Sequence, residues 1–303
     1  MTGLILALLT AMFFPGIIVR AKSFLSGRKG PGILQPWWNI ILLLRKNSVI
    51  STTTSMVFRA APVIYLGTII CGMLLLPFPG KPSWFGFTAD FVLFAFLLAL
   101  GKFMFILGAL DTGSSFEGMG ANREALYSML AEPAFFILFG TLVLFTGHDS
   151  MQEIFGSLQM SGNNALIIGS IAVYLLVQIT MIENSRMPVD DPRTHLELTM
   201  VHEVMILDHS GFDLALIQTG TILKFTLYGG LIANFMIPAS LAFPLQLLLF
   251  FGIQVVFAAL IGFMESFRAR KKMAKNPQFI VTLSSVALIA FVLVLLITFK
   301  MIR

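Results

Sequence analysis

Apolar stretches of about 20 residues recur from one end of this chain to the other, separated by shorter charged segments. A bilayer core is about 30 Å thick and takes about 20 helical residues to cross. Within it each backbone N–H and C=O must be bonded inside the protein, which an apolar helix does by itself. Spans are therefore expected at Thr2–Val19, Val57–Phe78, Phe91–Leu110, Ala125–Thr146, Asn164–Ile182, Asp213–Ile237, Leu241–Met264 and Phe279–Phe299. Of the 303 residues 57% are hydrophobic and 12% charged, where a soluble domain carries about 25% charged. The expectation is an all-α integral membrane protein of about eight transmembrane helices, a single membrane domain over residues 1–303, with no internal repeat.

The charge of the connecting loops alternates. Those after the first, third, fifth and seventh spans hold fifteen Lys or Arg, seven of them between Arg20 and Arg59 and five between Arg268 and Lys275. The opposite side has Lys81, Lys300 and Arg303. The positive-inside rule places the basic loops (about 20–56, 111–124, 184–212 and 265–278) in the cytoplasm and both termini on the other side of the membrane. Basic residues so placed and the net charge of +5 give no nucleic-acid signal. The apolar N-terminus has no positive segment before it and reads as a retained span. Cys71, the lone cysteine, rules out an internal disulfide and reads as a small residue packed in a span. In the first loop, Leu34–Lys46 places Leu34, Trp38, Ile41, Leu42 and Arg45 near one helical face. That suits an amphipathic helix in the membrane interface, either a plain anchor or the rim of a lateral opening.

Charges inside the spans are the informative residues, because one at the bilayer centre costs about 2.5–3.5 kcal/mol on insertion scales and often marks an ion path. Lys102 and Lys224 fall near the middle of spans, and Glu132 precedes Pro133, which leaves a carbonyl one turn back without its helical partner. Glu183 and Glu265 close two spans. Pairing of the lysines with nearby carboxylates, or snorkelling of the glutamates, is the purely structural alternative. Past Glu183 the chain is dense in titratable groups: Asp190, Asp191, His195, Glu197, His202, Glu203, Asp208 and His209, with Arg186 and Arg193. His202-Glu203 begins an HExxH pattern, but Ile206 breaks it, so zinc-protease spacing fails. If buried, these carboxylates would have raised, coupled pKa values fit for passing protons; a solvated acidic loop is the alternative. No phosphate-binding glycine loop, nucleophile elbow or redox motif is present, so any redox chemistry must belong to a partner.

Three loop segments carry a family resemblance: Gly27-Arg28-Lys29-Gly30-Pro31-Gly32 with Leu34-Gln35-Pro36; Asp111-Thr112-Gly113-Ser114-Ser115 through Arg123 to Glu132; and Glu183-Asn184-Ser185-Arg186-Met187-Pro188-Val189-Asp190 with Glu197 and Asp208-His209-Ser210-Gly211. The chain resembles the membrane subunit shared by respiratory complex I (its subunit 1) and the membrane-bound nickel–iron hydrogenases. The run from Pro188 through Glu203 is similar to the hydrogenase branch, that of hydrogenase 4 component C and formate hydrogenlyase. Glu132, Glu183, Asp190 and Glu197 match acidic positions of the family, and Glu203 the hydrogenase-type pattern. Arg193 and His195 stand where the quinone-reducing branch has glutamates.

The resemblance implies a tilted helical bundle that binds no cofactor itself. A hydrogenase-like large subunit and an iron–sulfur subunit, bearing the nickel–iron centre and the iron–sulfur clusters, would dock on the cytoplasmic loops, and antiporter-like subunits would lie beside it in the bilayer. Expected coupling residues are Glu132, Glu183, Asp190, Glu197 and Glu203, with Lys102 and Lys224 as weaker members of the path. Expected docking and loop residues are Arg28, Asp111, Arg123, Arg186, Asp191, His195, His202, Asp208 and His209, with Arg123 and Arg186 holding loop carboxylates. Two other readings stay open: a quinone-binding complex I subunit, and a stand-alone secondary ion transporter.

Overall fold

The computed structural model describes residues 2–158, 163–190 and 200–299. The chain is an all-α integral membrane protein, and among the described residues it has no strand. Its helices are α1 (Thr2–Leu25), α2 (Gln35–Leu44), α3 (Met56–Leu75), α4 (Asp90–Asp111), α5 (Ser115–Thr146), α6 (Met151–Leu158), α7 (Asn163–Glu183), α8 (His202–Met205), α9 (Gly211–Met236), α10 (Phe243–Phe267) and α11 (Asn276–Thr298). Among the described residues seven helices are long and apolar enough to cross a membrane: α1, α3, α4, α5, α7, α10 and α11. The eighth expected span lies in α9. Its 26 residues reach about 39 Å at 1.5 Å each, but Asp213, Gln218, Thr219, Thr221 and Lys224 make it less apolar than the rest.

Local chemistry sets the helix ends. The Ser55 hydroxyl accepts the Val57 N–H at the start of α3. Proline stands in the first turn of α2, α10 and α11, where no N–H is needed. Gly147 ends α5 in the left-handed conformation. Pro15, inside α1, has no N–H to offer the Ala11 carbonyl; the Trp37 indole of α2 fills that vacancy with a 3.1 Å hydrogen bond. α2 is thus pinned to α1 by the inward-facing tryptophan. Trp38 and Leu42, on the face singled out in the sequence, are exposed, while Ile40 is buried.

The helices pack in pairs, α3 with α4, α5 with α11 and α1 with α10, and α9 threads between them in contact with α1, α2, α3, α7 and α10. Most of α9 is enclosed by these neighbours. Its glycines permit the close approach: Gly220 lies against Tyr65 and Gly229 against Gln254. The residues expected as a loop at about 111–124 are mostly the first turns of α5, so Glu132 sits near the middle of a 32-residue helix. Helical pairing of the backbone there outweighs the polar composition from which a loop was expected. Cys71, expected inside the packing, is on the exposed side of α3.

Candidate functional site

At one end of the bundle the four basic loops are tied to one another. Asp111 accepts the Ser55 N–H at 2.6 Å and the Phe58 N–H at 3.3 Å. Ser210 exchanges hydrogen bonds with both backbone groups of Val49, and Gly211, at φ 50°, lets the backbone of Asn47 come so close that a Cβ would lie 2.3 Å from its carbonyl oxygen. The Asp208 N–H donates to Glu117 at 3.0 Å. Asp190 pairs with Arg270 at 2.8 Å and accepts the Val201 and His202 N–H groups. The Asn276 side chain donates to the Val189 carbonyl and to the Tyr127 hydroxyl. Arg28 is exposed on the same face. Arg123 is not bonded to a loop carboxylate as expected. Arg123 donates to the Met200 carbonyl at 2.9 Å. Arg186 pairs at 3.1 Å with Glu265, at the end of α10, which Lys22 also reaches at 3.4 Å. Asp191, His195 and Glu197 lie outside the described residues.

His209 is buried with its ring stacked on Phe58, centroids 4.0 Å apart, and neither ring nitrogen has a hydrogen-bond partner among the described residues. Burial pushes its pKa from 6.5 down to about 4. His202, beside Phe105, is pushed down to about 4, chiefly by burial as well. Between those values the unfolded chain takes up a proton that the folded one refuses. The stability held by a neutral His209 is therefore complete above about pH 6.5 and lost as pH falls toward 4, by about 3 kcal/mol in all. In thermal unfolding of the purified protein from pH 7.5 to 4.5, His209→Phe is expected to lower the acid sensitivity, and equal slopes would contradict the assignment.

Within the bundle the charges converge. Lys102 of α4 contacts Glu124 of α5 and Glu183 of α7, each at 3.0 Å. Lys224 of α9 contacts the other Glu183 oxygen at 2.6 Å and donates to the Glu183 carbonyl at 3.0 Å. The Ser185 hydroxyl donates to the second Glu124 oxygen at 3.1 Å. All four charged side chains are at most 11% exposed. Two ammonium groups face two carboxylates, so the network is charge-balanced, the condition under which buried ions are tolerated.

Two cavities flank it. One, of about 240 Å³, opens beside α2 and is lined by Asn39, Ser185, Arg186, His202, Glu203, Gln218 and Thr221. The other, of about 80 Å³, is lined by Lys102, Glu132, Glu183, Tyr228, Phe135 and Phe136. Glu132 itself is exposed on the side of α5, so it stands at the mouth of that cavity rather than in its depth. Gln218, Thr221, Lys224 and Tyr228 follow one another at helical spacing along α9 and join the two.

The structure thus brings Lys102, Lys224 and Glu183 into one network, with Glu132 at its edge, and places Glu203 and His202 in the first cavity. Asp190 and Asp208 belong to the loop framework. Sequence reasoning missed Glu124, which bridges the two, and Glu117. Their spacing of seven residues, which repeats one helical face, was the available signal. Among the described residues no group of three or more His, Cys, Asp or Glu is placed to hold a metal ion.

Residues 1–297 match the family model described as NADH dehydrogenase. Hydrogenase-4 component C of Escherichia coli (strain K12) is 31% identical over 245 residues, 81% of this chain and 76% of that protein. Formate hydrogenlyase subunit 4 of the same organism is 28% identical over 214 residues, 71% of this chain and 69% of its own. The fold is similar to that of a chain of the membrane-bound sulfane sulfur reductase, an archaeal respiratory membrane complex, with a TM-score of 0.82, 18% identity and 96% of each chain covered. With its helical bundle and all but six of its residues matched, this chain belongs to the NADH dehydrogenase family.

Proposed function

We propose that this chain is the membrane subunit of a multi-subunit, complex I-like respiratory hydrogenase or formate hydrogenlyase complex, in which it docks a redox arm and couples electron transfer to ion translocation. The observation that carries the reading is the buried, charge-balanced chain Glu124–Lys102–Glu183–Lys224, set between a cavity at the basic loops and a cavity that opens sideways at Glu132. A purely structural ion network needs no such access on both sides. Likeness to hydrogenase-4 component C and formate hydrogenlyase subunit 4 supports the hydrogenase branch.

In this reading the basic face is cytoplasmic, in an inner membrane with both termini outside. The tied loops form a firm platform for a hydrogenase-like large subunit and an iron–sulfur subunit, which hold the nickel–iron centre and the clusters. Redox turnover there shifts the loop framework at Asp190 and Glu203. The shift reaches Glu183 through Ser185 and Glu124, and a proton moves sideways through Glu132 toward antiporter-like subunits. Asp191, His195 and Glu197 belong to the same loop and are assigned to this coupling and docking face.

The cavity beside α2 favours a second reading, entry of a quinone from the bilayer. Purification of the complex in mild detergent separates the two. A co-purifying subunit with about one nickel per copy of this chain is the expected result. A flavin-bearing partner without nickel, with turnover on added quinone, would overturn it.

A further inference from the structure

We infer that the chain holds an anionic phospholipid at the end of the bundle opposite the basic loops, with an acyl chain between α7 and α9 and its phosphate at Lys81. A cavity of about 690 Å³ lies there, lined by Leu166, Gly169, Val173, Phe235, Met236 and Pro238. Leu166 and Met236 are exposed at its rim, so it opens to the bilayer. It is larger than the cavities of about 240 and 80 Å³ beside the ion network, and falls within the range of about 300–1,000 Å³ that ligand pockets occupy. Nothing bulky reaches in from α7: a Cβ on Gly169 would meet only the Phe235 ring, at 4.0 Å.

The apolar cavity continues into a polar one of about 160 Å³, lined by Gly80, Lys81, Gln152 and Phe155, and Asn234 lines both. The Asn234 amide donates to the Pro77 and Gly230 carbonyls, each at 2.9 Å, which fixes the junction. Phe155 and Phe235 meet edge-on beside it, with centroids 4.9 Å apart. The turn at Gly80, φ 72°, presents Lys81, whose ammonium lies 3.6 Å over the Phe243 ring. Among the described residues no carboxylate stands at ion-pair distance from it. Two carboxylates at this end are engaged elsewhere: Asp90 accepts the Met151 N–H, and Glu153 faces His148 at 3.4 Å. Trp84, exposed and stacked on Phe85, marks the depth of the lipid headgroups. An uncompensated cation at that depth, joined to an apolar cavity open to the bilayer, matches a phosphate joined to an acyl chain. Basic pockets between transmembrane helices bind anionic headgroups in this way. A zwitterionic lipid brings its own cation and gains less from Lys81. A partner's helix, about 10–12 Å across, would leave the narrow cavity at Lys81 unfilled.

The test uses the intact complex, stripped of lipid in detergent. Its thermal unfolding is followed as dioleoyl phosphatidylglycerol or dioleoyl phosphatidylcholine is added in mixed micelles. The basic loops also attract anionic lipid, so the reading is the difference between parent and variant. With phosphatidylglycerol the parent should gain about 2 °C or more beyond Lys81→Gln, equivalent to about tenfold tighter binding. With phosphatidylcholine the two should respond alike. Gly169→Leu, which puts a side chain into the acyl cavity, should lose the extra gain although Lys81 is kept. Glycerol phosphate, a headgroup without chains, should give none of it. Equal responses of the parent and Lys81→Gln to phosphatidylglycerol would overturn the assignment, as would the whole gain from glycerol phosphate alone. So would loss of another membrane subunit from Gly169→Leu with the phosphatidylglycerol gain kept, since a partner's helix then fills the cavity. Should Gly169→Leu fail to assemble, Lys81→Gln with the two lipids carries the test.

Discussion

Glu183→Gln is expected to destabilise the folded chain by about 3–5 kcal/mol, the cost of breaking a buried ion pair while its partner stays behind. The expectation follows from geometry. Glu183 gives one oxygen to Lys102 and the other to Lys224, so one substitution takes the counter-charge from two ammonium groups. Lys224 is left with the Glu183 backbone carbonyl and Lys102 with Glu124. Glutamine has the right shape but cannot restore the balance. A second substitution that removes a cation, Glu183→Gln with Lys224→Met, should recover most of the loss, because neutral apolar groups in place of a buried pair are often no less stable. Thermal unfolding of the purified complexes measures both. A Glu183→Gln complex as stable as the parent would mean that the network carries no buried charge.

Glu132→Gln is expected to act in the opposite way, leaving assembly intact and lowering coupled proton uptake about a hundredfold, the lower end of what loss of a positioned proton donor or acceptor costs. Glu132 is exposed on α5 and has no ion-pair partner at contact distance among the described residues, so its loss should change stability by no more than about 0.5 kcal/mol. Its carboxylate is still the titratable group at the opening of the cavity that reaches Lys102 and Glu183. A side chain with little to hold together and a place at the opening of the cavity that Lys102 and Glu183 also line should show its function apart from its structure.

The contrast between these two glutamates also shows how far the amino-acid order alone could lead. Both were singled out for related reasons, one a carboxylate inside an apolar span and the other a carboxylate that closes one. Pairing decides their roles, and pairing depends on which faces of α4, α5, α7 and α9 meet. Periodicity does not specify that. Lys102 and Lys224 were recognisable as costly charges for the same reason, but their shared partner lies on a third helix. Glu124 was missed because α5 begins ten residues before Ala125, where apolar composition takes over; the first turns of a helix that extends beyond the bilayer look like a loop. In α9 the composition misleads the other way. Its glycines, threonines and lysine lower its hydropathy, because it is solvated by neighbouring helices rather than by lipid. The outward face of α2 was legible from the spacing of Trp38 and Leu42, but the bond of Trp37 to the carbonyl freed by Pro15 needed the two helices in place. The family resemblance, resting on loop segments, proved the surest part of the reading, since those segments knit the basic face together.

Proton uptake per electron transferred, in inverted membrane vesicles holding the intact complex, is the most direct measurement of what this bundle does. With Glu132→Gln the account predicts that electron transfer continues near the parent rate while the ratio of protons to electrons collapses. An unchanged ratio at an unchanged rate would contradict it, and would leave the buried lysines and glutamates as a framework that merely holds the helices together.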